Sequence, residues 1–361
     1  MNVEELLKMT QERGASDLIL TAGSSPVLKI NAKLIPTKLP SLSPKDVEDL
    51  IYAILPQENR EVFHKKKDLT FVYFLPGWAR FRVSVSMQRS SLMASIRRIP
   101  LELPSLRELN LPEQSLNILS SFKRGLVLIT GPSGSGKTTT LISLLEMVNT
   151  QYSYHIITLE QPIEYYFRHK KCIINQRSIP EDGLSFSYAL ERVLLHNPDA
   201  VVVSRIPDSE TLKAVLRLSQ EGILVVAVLN TSDASETINY IVNSFSAQEQ
   251  SQIRFQLAFS LKAIFSQQLV PLAHKEGLVP AWEFLIVNER ISHLIREGNI
   301  HQIDNVIETG VREGMRSMDR SLIELYQRGL IDNKELLVRV KYKNREELRN
   351  IISPDSFPSG F

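Results

Sequence analysis

The sequence contains little of what would place it in several large classes of protein. One cysteine, Cys172, among 361 residues excludes an intramolecular disulfide and a zinc site built from cysteines, and it fits a reducing cytoplasm. The longest run of purely apolar residues, Ile223–Leu229, is too short to cross a bilayer. We therefore expect no zinc and no direct insertion into a membrane.

Charge and histidine give no sign of a nucleic-acid or metal partner. The 42 basic and 40 acidic residues nearly cancel, leaving a net charge of +2, and none of the 7 histidines has the spacing of a metal site such as H-E-x-x-H. Because 43% of the residues are apolar and 23% are charged, the composition is that of a folded globular protein, and the length predicts two or three domains. We expect no nucleic-acid partner.

One stretch carries a nucleotide-binding pattern. The apolar run Leu126–Thr130 is typical of a buried parallel strand, and it leads directly into Gly131–Thr138, which fits G-x-x-x-x-G-K-[ST] at every fixed position. The apolar residues of Thr139–Val148 recur at helical spacing, so the loop would stand at a helix N-terminus, where backbone N–H groups attract phosphate. An ordinary Gly/Ser turn is the competing interpretation, and the flanking strand and helix argue against it.

The residue types of this loop match the needs of a bound polyphosphate. Three glycines let the backbone turn its N–H groups toward phosphate oxygens. Lys137 supplies a point charge for the β- and γ-phosphates, and the Thr138 hydroxyl is predicted to ligate Mg²⁺. We expect ATP and Mg²⁺ as ligands. The predicted nucleotide-binding residues of the loop are Gly131, Ser133, Gly134, Ser135, Gly136, Lys137, Thr138 and Thr139.

The patterns divide the chain into two domains and a linker. Residues 1–99 mix short amphipathic helices with alternating strands, which predicts an α+β domain. Residues 100–112 hold 3 prolines without clear periodicity, which indicates a linker. From 113 to 361, apolar strands alternate with helical segments, as in an α/β domain whose parallel sheet is covered on both faces. The part after residue 248 is expected to be mostly helical, and Ser353–Phe361 to fray.

The individual elements can be placed from periodicity and from turn residues. Helices are predicted over residues 2–13 and 45–55, the second capped by Ser43, and over residues 321–330. The predicted strands are Asp17–Leu20, Val27–Ile30, Asp68–Leu75, Arg80–Met87, Ser91–Ile99, Leu126–Thr130, His155–Leu159, Ala200–Val203 and Ile223–Leu229.

Short motifs beyond the P-loop extend over nearly the whole chain. They are Ala15–Leu18, Ala79–Val83, Arg98–Pro100, Arg124–Thr130, Thr158–Glu164, Ile174–Arg177, Asn197–Asp199, Ile291 with Leu294–Glu297, Gly310, Gly314–Met315 and Met318–Asp319. Together they resemble the type IV pilus retraction (twitching-motility, PilT-like) motors of the type II/IV secretion ATPase superfamily. The related extension and type II secretion motors carry a four-cysteine zinc site, so the single cysteine favours the retraction branch.

The resemblance implies a fold, an assembly and a place in the cell. It implies an N-terminal PAS-like domain, a RecA-like P-loop domain with a helical C-terminal part, and a ring-shaped homohexamer or a mixed ring with a paralogous motor. An inner-membrane pilus platform protein would be the partner, which makes the chain cytoplasmic and peripheral at the inner membrane. Arginines of the N-terminal domain approach the phosphates in such rings, and Arg80, Arg82 and Arg97 stand at the matching positions.

The arginine pair can also be interpreted without the resemblance. Arg80 and Arg82 are two residues apart on a predicted strand, so their side chains share one face. Two exposed guanidinium groups on one face suit phosphate recognition. The competing interpretation is a solvated strand face.

The sequence departs from the family pattern where the attacking water would be activated. The family's Walker B stretch reads Pro-Asp, about four apolar residues, then Gly-Glu, with the glutamate as the base. Here Pro198–Val203 is followed by Ser204 and Arg205. A guanidinium cannot accept a proton from water, since its pKa lies above about 12. Losing a positioned general base costs about 10²–10⁴ in rate.

Other departures are expected to cluster at the same site. The family's acidic-box aspartate is Gln161, its two histidines are Ile223 and Asn230, and two of its arginines are Leu195 and Pro207. Glu160 and Glu164 remain. Glu160 ends a predicted strand that we place beside the P-loop strand, where it would orient water or hydrated Mg²⁺ as a catalytic residue together with Lys137. The competing interpretation is that Glu160 caps or pairs on the surface.

Three functions compete at this point. The first is a working hexameric ATPase that drives pilus retraction, which the full-length resemblance favours. The second is a nucleotide-binding pseudo-ATPase that regulates or scaffolds a true motor, which Gln161, Arg205, Ile223 and Asn230 favour. The third is an unrelated P-loop enzyme, such as a GTPase, but the guanine-reading N-K-x-D motif is absent, because Asn333–Leu336 has leucine at the aspartate position.

Overall fold

The computed structural model describes residues 2–30, 33–99 and 103–341. It divides into two compact units: residues up to 103 together with 162–166, and residues 104–161 together with 167 onward. The division falls inside the predicted linker 100–112, whose first three residues lie outside the described part. The segment 353–361, predicted to fray, also lies outside it.

The first unit is an antiparallel sheet with three helices. Its strands follow the order β3-β2-β1-β6-β5-β4. All of the strands predicted here are present, which confirms the α+β domain; β3 and α3 were missed. The elements are α1 Val3–Glu12, β1 Asp17–Thr21, β2 Val27–Ile30, β3 Lys33–Pro36, α2 Pro44–Tyr52, α3 Gln57–Lys66, β4 Asp68–Leu75, β5 Ala79–Gln88 and β6 Ser91–Ile99.

Local chemistry explains two of these elements. The α2 helix begins with a capping box, in which the Ser43 hydroxyl accepts a hydrogen bond from the Asp46 backbone and the Asp46 carboxylate accepts one from the Ser43 backbone. Along β5, Ala79, Phe81 and Val83 are buried while the residues between them are half-buried. This alternation with a period of two directs one strand face into the core.

The second unit is built on a largely parallel sheet of seven strands. The order is β13-β12-β7-β11-β10-β8-β9, and β13 alone pairs antiparallel. The elements are α4 Glu113–Ser121, β7 Gly125–Thr130, α5 Lys137–Gln151, β8 His155–Glu160, β9 Ile173–Ser178, α6 Phe186–Val193, β10 Ala200–Val203, α7 Ser209–Gln220, β11 Leu224–Leu229, α8 Ala234–Asn243, α9 Gln250–Ser260, β12 Leu261–Pro271, β13 Leu278–Ile286, α10 Glu289–Glu297, α11 Ile303–Thr309, α12 Met318–Gln327 and α13 Asn333–Arg339.

Helices cover both faces of this sheet, as the sequence predicted. Leu126 and Leu128 of β7 enter one apolar cluster, while Val127 and Ile129 enter the cluster on the opposite face. Each of the four strands predicted in this unit agrees with the structure to within one residue at either end. None of the described helices is long and apolar enough to cross a membrane.

The β12–β13 hairpin is the main feature that the sequence patterns missed. The chain after residue 248 was expected to be mostly helical, and five helices are present there, but β12 and β13 stand between α9 and α10. The sequence of β12 mixes apolar and polar residues without a strict period, so no strand pattern is visible. Its pairing with β7 supplies the missing information.

A buried carboxylate on β13 joins two helices. The Oε1 atom of Glu283 accepts a hydrogen bond from the backbone N–H of Ala234 in the first turn of α8, at 2.8 Å. Its Oε2 atom accepts one from the backbone N–H of Met318 in the first turn of α12, at 3.4 Å. Because both N–H groups belong to helix N-termini, they favour a negative charge between them.

Burial nevertheless dominates the titration of this group. It raises the pKa of Glu283 to about 7, with further raising by Asp233 and Asp304, while the Ala234 N–H and the Lys341 ammonium oppose the shift. A carboxyl group with a raised pKa in the folded state holds a proton that the unfolded chain has released. Its contribution to stability is therefore fully present below the ordinary glutamate pKa of 4.5, declines as the pH rises from there to about 7, and is absent above that value.

We predict that the Glu283→Gln variant loses this pH dependence. The free energy of unfolding of the unmodified chain should fall by on the order of 2 kcal/mol between about pH 5.5 and about pH 8.5, and the variant should lack that component. Equilibrium denaturation at a series of pH values measures it. Glu276→Gln, which changes an exposed glutamate of the same hairpin, is the control and should keep the slope. Equal slopes in all three proteins would contradict the assignment.

Candidate nucleotide-binding site

The predicted P-loop has the geometry of a phosphate-binding loop. It follows β7 and leads into α5, a helix of 15 residues that begins at Lys137. Gly131 has φ +151° and Gly136 has φ +87°, backbone conformations that favour glycine. No side chain in the described part of the chain caps the N-terminus of α5, and its first turn has no acidic residue. The free N–H groups of this turn are therefore available to an anion.

Lys137 is held in the loop by backbone oxygens. Its Nζ atom donates hydrogen bonds to the carbonyl oxygens of Gly131 at 2.7 Å and Pro132 at 2.8 Å. Burial lowers the pKa of this ammonium group from its ordinary value. A bound phosphate would exchange neutral carbonyl oxygens for charged ones around the same ammonium, which strengthens the interaction.

The other predicted loop residues lie in the same place with different exposure. Ser133, Gly134 and Thr139 are exposed, whereas Thr138 is half-buried. Ser135 is buried, and its hydroxyl has no hydrogen-bond partner in the described structure. The structure thus brings together all eight predicted loop residues, and their donors fit a polyphosphate.

Glu160 lies farther from the loop than the sequence suggested. We placed its strand beside the P-loop strand, and this is wrong because β11 and β10 lie between β7 and β8. At about 4.8 Å per strand, the end of β8 lies about 14 Å from the end of β7. Crossover connections can skip positions in a parallel sheet, so sequence order did not reveal the gap.

The Glu160 carboxylate is nevertheless fixed at the carboxyl edge of the sheet. The residue is 8% exposed, and its Oε1 atom accepts hydrogen bonds from the Thr158 hydroxyl at 2.6 Å and from Gln176 Nε2 at 2.9 Å. Ligands of open α/β sheets bind outside this edge. The position therefore suits a group that orients water near a phosphate.

Only some of the positions at which the sequence departs from the family pattern lie at this edge. Gln161, Arg205 and Asn230 follow β8, β10 and β11, and all three are exposed. The backbone N–H of Ser204 donates to the Leu159 carbonyl at 2.9 Å, which holds the residue before Arg205 against the end of β8. At about 4.8 Å per strand, Arg205 follows a strand that ends about 10 Å from β7.

Two departures lie at the opposite edge, so the expectation of a single cluster is wrong. Ile223 precedes β11, and its carbonyl accepts a hydrogen bond from Gly125 at the start of β7. Leu195 lies in the turn before β10. Since β11 has six residues and a strand rises about 3.3 Å per residue, Ile223 is about 20 Å from the carboxyl edge. Sequence alignment with a motif does not say at which end of a strand a residue stands.

The three predicted arginines occupy one region of the first unit. Arg80 and Arg82 are both half-buried on β5, which confirms that they share a face. Arg82 pairs across the sheet with Arg97 of β6 and forms an ion pair with Glu164. Arg97 donates to Asp17 at 2.8 Å. Cross-strand cations of like charge repel, so each carboxylate relieves that repulsion.

Arg80 has an aromatic partner instead of a carboxylate. Its guanidinium lies 4.3 Å from the ring centroid of Tyr166 and 5.7 Å from that of Phe74. Such stacking leaves guanidinium N–H groups available to a phosphate. The role of the three arginines toward nucleotide stays a prediction.

Sequence reasoning missed the residue that braces the P-loop from β12. The side-chain amide of Gln267 donates to the Ser135 carbonyl at 2.5 Å and accepts from the Thr140 hydroxyl at 2.6 Å. The available signal was two adjacent glutamines, Gln267 and Gln268, between the apolar pairs Ile264–Phe265 and Leu269–Val270.

Comparison with known proteins decides the family. The sequence model of the family described as "Type II/IV secretion system protein" matches residues 79–353. The chain belongs to this family. Nucleotide binding follows from that membership and agrees with the intact loop.

Individual relatives place the chain more closely. It is 37% identical over 341 residues to the Pseudomonas aeruginosa "Type IV pilus retractation ATPase PilT", covering 94% of this chain and 98% of the relative. It is 33% identical over 344 residues to the type IV pilus ATPase PilU of the same organism, covering 95% and 90%. The crystal structure of the pilus retraction motor PilT with bound ADP matches with a TM-score of 0.84 and 38% identity, covering 96% and 99%.

These matches agree with the resemblance drawn from the motifs. The chain belongs with the PilT-like pilus retraction ATPases of the secretion family, and it carries the N-terminal and RecA-like domains of that fold. The altered Walker B stretch of this member lies within the matched residues.

We predict that Lys137→Ala raises the Kd for ADP by at least about 100-fold, because the motif assigns its ammonium as the point charge for the phosphates. Titration with a fluorescent ADP analogue measures it. The control is Lys123→Ala, an exposed lysine of the same unit, which should bind normally. Nearly equal affinities of the two variants would contradict the site.

The lowered pKa of Lys137 adds a pH signature to the same measurement. The affinity of the unmodified chain for ADP should decrease with rising pH, and the decrease should begin at a pH below 10.5, the ordinary pKa of lysine. The reason is that the buried ammonium loses its proton at a lower pH than an exposed one. Lys137→Arg keeps its charge throughout and should lack the fall.

Proposed function

We propose that this chain is an ATP-binding subunit of a pilus retraction motor that hydrolyses ATP slowly or not at all. One observation carries the proposal: the phosphate-binding half of the site is intact around Lys137, whereas Arg205 occupies the position after β10 where the family has its base. The loop N–H groups, Lys137 and the Thr138 hydroxyl would hold ATP with Mg²⁺, and the ion would neutralise phosphate charge when bound.

The remaining carboxylate offers only part of the lost chemistry. Hydrolysis needs a group that accepts a proton from the attacking water or orients that water toward the terminal phosphate. Glu160 is the acidic residue that β8 places at the carboxyl edge, where Thr158 and Gln176 fix its orientation. We propose that Glu160 orients water, and that Arg205 neutralises phosphate charge without accepting a proton.

The assembly and the partners are part of the same proposal. Family membership supports a hexameric ring, formed by this chain alone or mixed with a paralogous motor. In that ring Arg80, Arg82 and Arg97 would contact nucleotide, which requires Arg82 to exchange Glu164 for a phosphate. The chain's similarity to type IV pilus ATPases supports a place on the cytoplasmic side of the inner membrane, against a pilus platform protein.

A regulatory pseudo-ATPase is the second candidate. It is favoured by three non-catalytic residues, Gln161, Arg205 and Asn230, which stand at the same carboxyl edge. In this case nucleotide binding would set the geometry of the ring or of a partner motor, and turnover would come from the partner.

We predict that the rate of ATP hydrolysis by the purified chain lies at least about 100-fold below the turnover of a typical enzyme, which is about 10 s⁻¹. Arg205→Glu should raise the rate by about tenfold or more, because it restores a carboxylate after β10. The double variant Gln161→Asp/Arg205→Glu should be faster still. Steady-state phosphate release measures all three.

The control is Arg290→Glu, which makes the same change at an exposed arginine of α10. It should leave the rate unchanged. Turnover of the unmodified chain near 10 s⁻¹ would overturn the proposal of weakened hydrolysis. A rate in Arg205→Glu that stays at the level of the control would favour the pseudo-ATPase.

The ring makes a separate prediction. Native mass measurement with ATP should show six copies of the 41.0 kDa chain, or a mixed ring when the paralogous motor is added. Lys137→Ala should reduce the ATP-dependent part of assembly, because the variant lacks the phosphate charge partner. A chain that stays monomeric with ATP, alone and with the paralogue, would contradict the assembly.

A further inference from the structure

The strand beside the P-loop continues where the P-loop strand ends. β7 stops at Thr130, whose last partner on β12 is Ser266, but β12 runs on to Pro271. Gln267 is therefore the first residue of β12 that lies alongside the loop instead of a strand. It is 2% exposed, so its side chain must find its hydrogen-bond partners inside the protein.

Gln267 contacts both ends of the loop. A Cβ atom on Gly131 would lie 2.2 Å from the Gln267 carbonyl oxygen, and one on Gly136 would lie 3.0 Å from Gln267 Nε2. The approach of the Gln267 backbone thus excludes a side chain at Gly131, and the approach of its amide leaves little room for one at Gly136, in addition to the backbone conformations of both glycines.

The side-chain amide of Gln267 is satisfied on both sides. Its Nε2 donates to the carbonyl oxygen of Ser135 at 2.5 Å, and its Oε1 accepts from the Thr140 hydroxyl at 2.6 Å. The first contact holds the loop, and the second holds the first turn of α5, which carries Lys137 and Thr138. One amide therefore sets the loop and the helix start relative to each other.

The contact with Ser135 also orients a donor of the site. The Ser135 carbonyl and the Gly136 N–H belong to one planar trans peptide, so they point in opposite directions. Because Gln267 draws the carbonyl toward β12, the Gly136 N–H must point away from β12. A P-loop binds phosphate with N–H groups of this kind.

We propose that Gln267 is a positioning residue that presents the Gly136 N–H to the nucleotide phosphates. The role rests on the proposed nucleotide binding at this loop. Gln267 does not touch the reacting atoms; it acts through the orientation of the Ser135–Gly136 peptide and through Thr140.

The neighbouring residue provides a matched comparison. Gln268 follows Gln267 on the same strand, so its side chain points to the other face. It is half-buried and accepts a hydrogen bond from Arg339 at 3.1 Å. The same substitution at the two positions separates an effect on the loop from a general effect on β12.

Gln267→Glu is the sharpest test. The carboxylate keeps the size of the amide and its acceptor for Thr140, but it places an acceptor against the Ser135 carbonyl, which should turn the peptide. We expect the Kd for ADP to rise by at least about tenfold. Gln268→Glu should change it less than about twofold. Gln267→Met places an uncharged side chain without an amide at this position, and it should also weaken the binding of ADP. This variant replaces Gln267→Glu in the test if the buried glutamate prevents folding.

Two further readouts separate positioning from general stability. The melting temperatures of the nucleotide-free variants should follow a different order from their affinities for ADP. The second readout is the NMR spectrum of ¹⁵N-glycine-labelled protein, to which the 15 glycines of the chain contribute. The amide signal of Gly136 should shift in Gln267→Met and should not shift in Gln268→Glu. An unshifted Gly136 amide, or equal ADP affinities of the Gln267 and Gln268 variants, would overturn the proposal.

The failure of the underlying function can be recognised independently. If the unmodified chain binds ADP and Lys137→Ala does not, the nucleotide site stands, and the Gln267 variants then test the positioning role alone. If the unmodified chain does not bind ADP, the proposed function fails, and the positioning role fails with it.

Discussion

The parallel pairing of β7 with β11 on one side and with β12 on the other determines where this molecule can bind a phosphate. All six residues of β7 are buried, and their side chains alternate between the apolar clusters on the two faces. The strand cannot shift by one residue without exchanging those faces. Its end at Thr130 is thereby fixed, and the loop that follows must open at the carboxyl edge of the sheet.

That edge holds two sets of groups, one that matches the family pattern and one that departs from it. The loop retains every residue that contacts phosphate by motif, and Lys137 is already desolvated there. Glu160 and Arg205, the residues that we propose take the place of the water-activating groups, stand at the ends of β8 and β10. Distance explains how one set can change without the other: these strands end about 14 and about 10 Å from β7. Binding and turnover can therefore be separated within one sheet.

The β12–β13 hairpin connects this edge with the rest of the second unit. β12 contacts the loop through Gln267, and β13 binds the N-termini of α8 and α12 through Glu283. Both are buried polar groups whose hydrogen bonds cross between elements, so each requires one specific arrangement of its neighbours. β12 lies on one side of the P-loop strand and β11 on the other, and α8 is the helix that follows β11. Through Glu283 the hairpin therefore also contacts a helix that comes from the far side of the P-loop strand.

Much of the fold and the phosphate half of the site could be predicted from the sequence, because those features depend on neighbouring residues. The strand–loop–helix around Gly131, the capping box at Ser43 and the shared face of Arg80 and Arg82 all follow from local spacing. Tertiary structure alone decided that two strands separate β8 from β7, that Ile223 stands at the far edge, and that Gln267 reaches Ser135. Those relations depend on the order in which crossovers place the strands, and residue spacing along the chain does not contain that order.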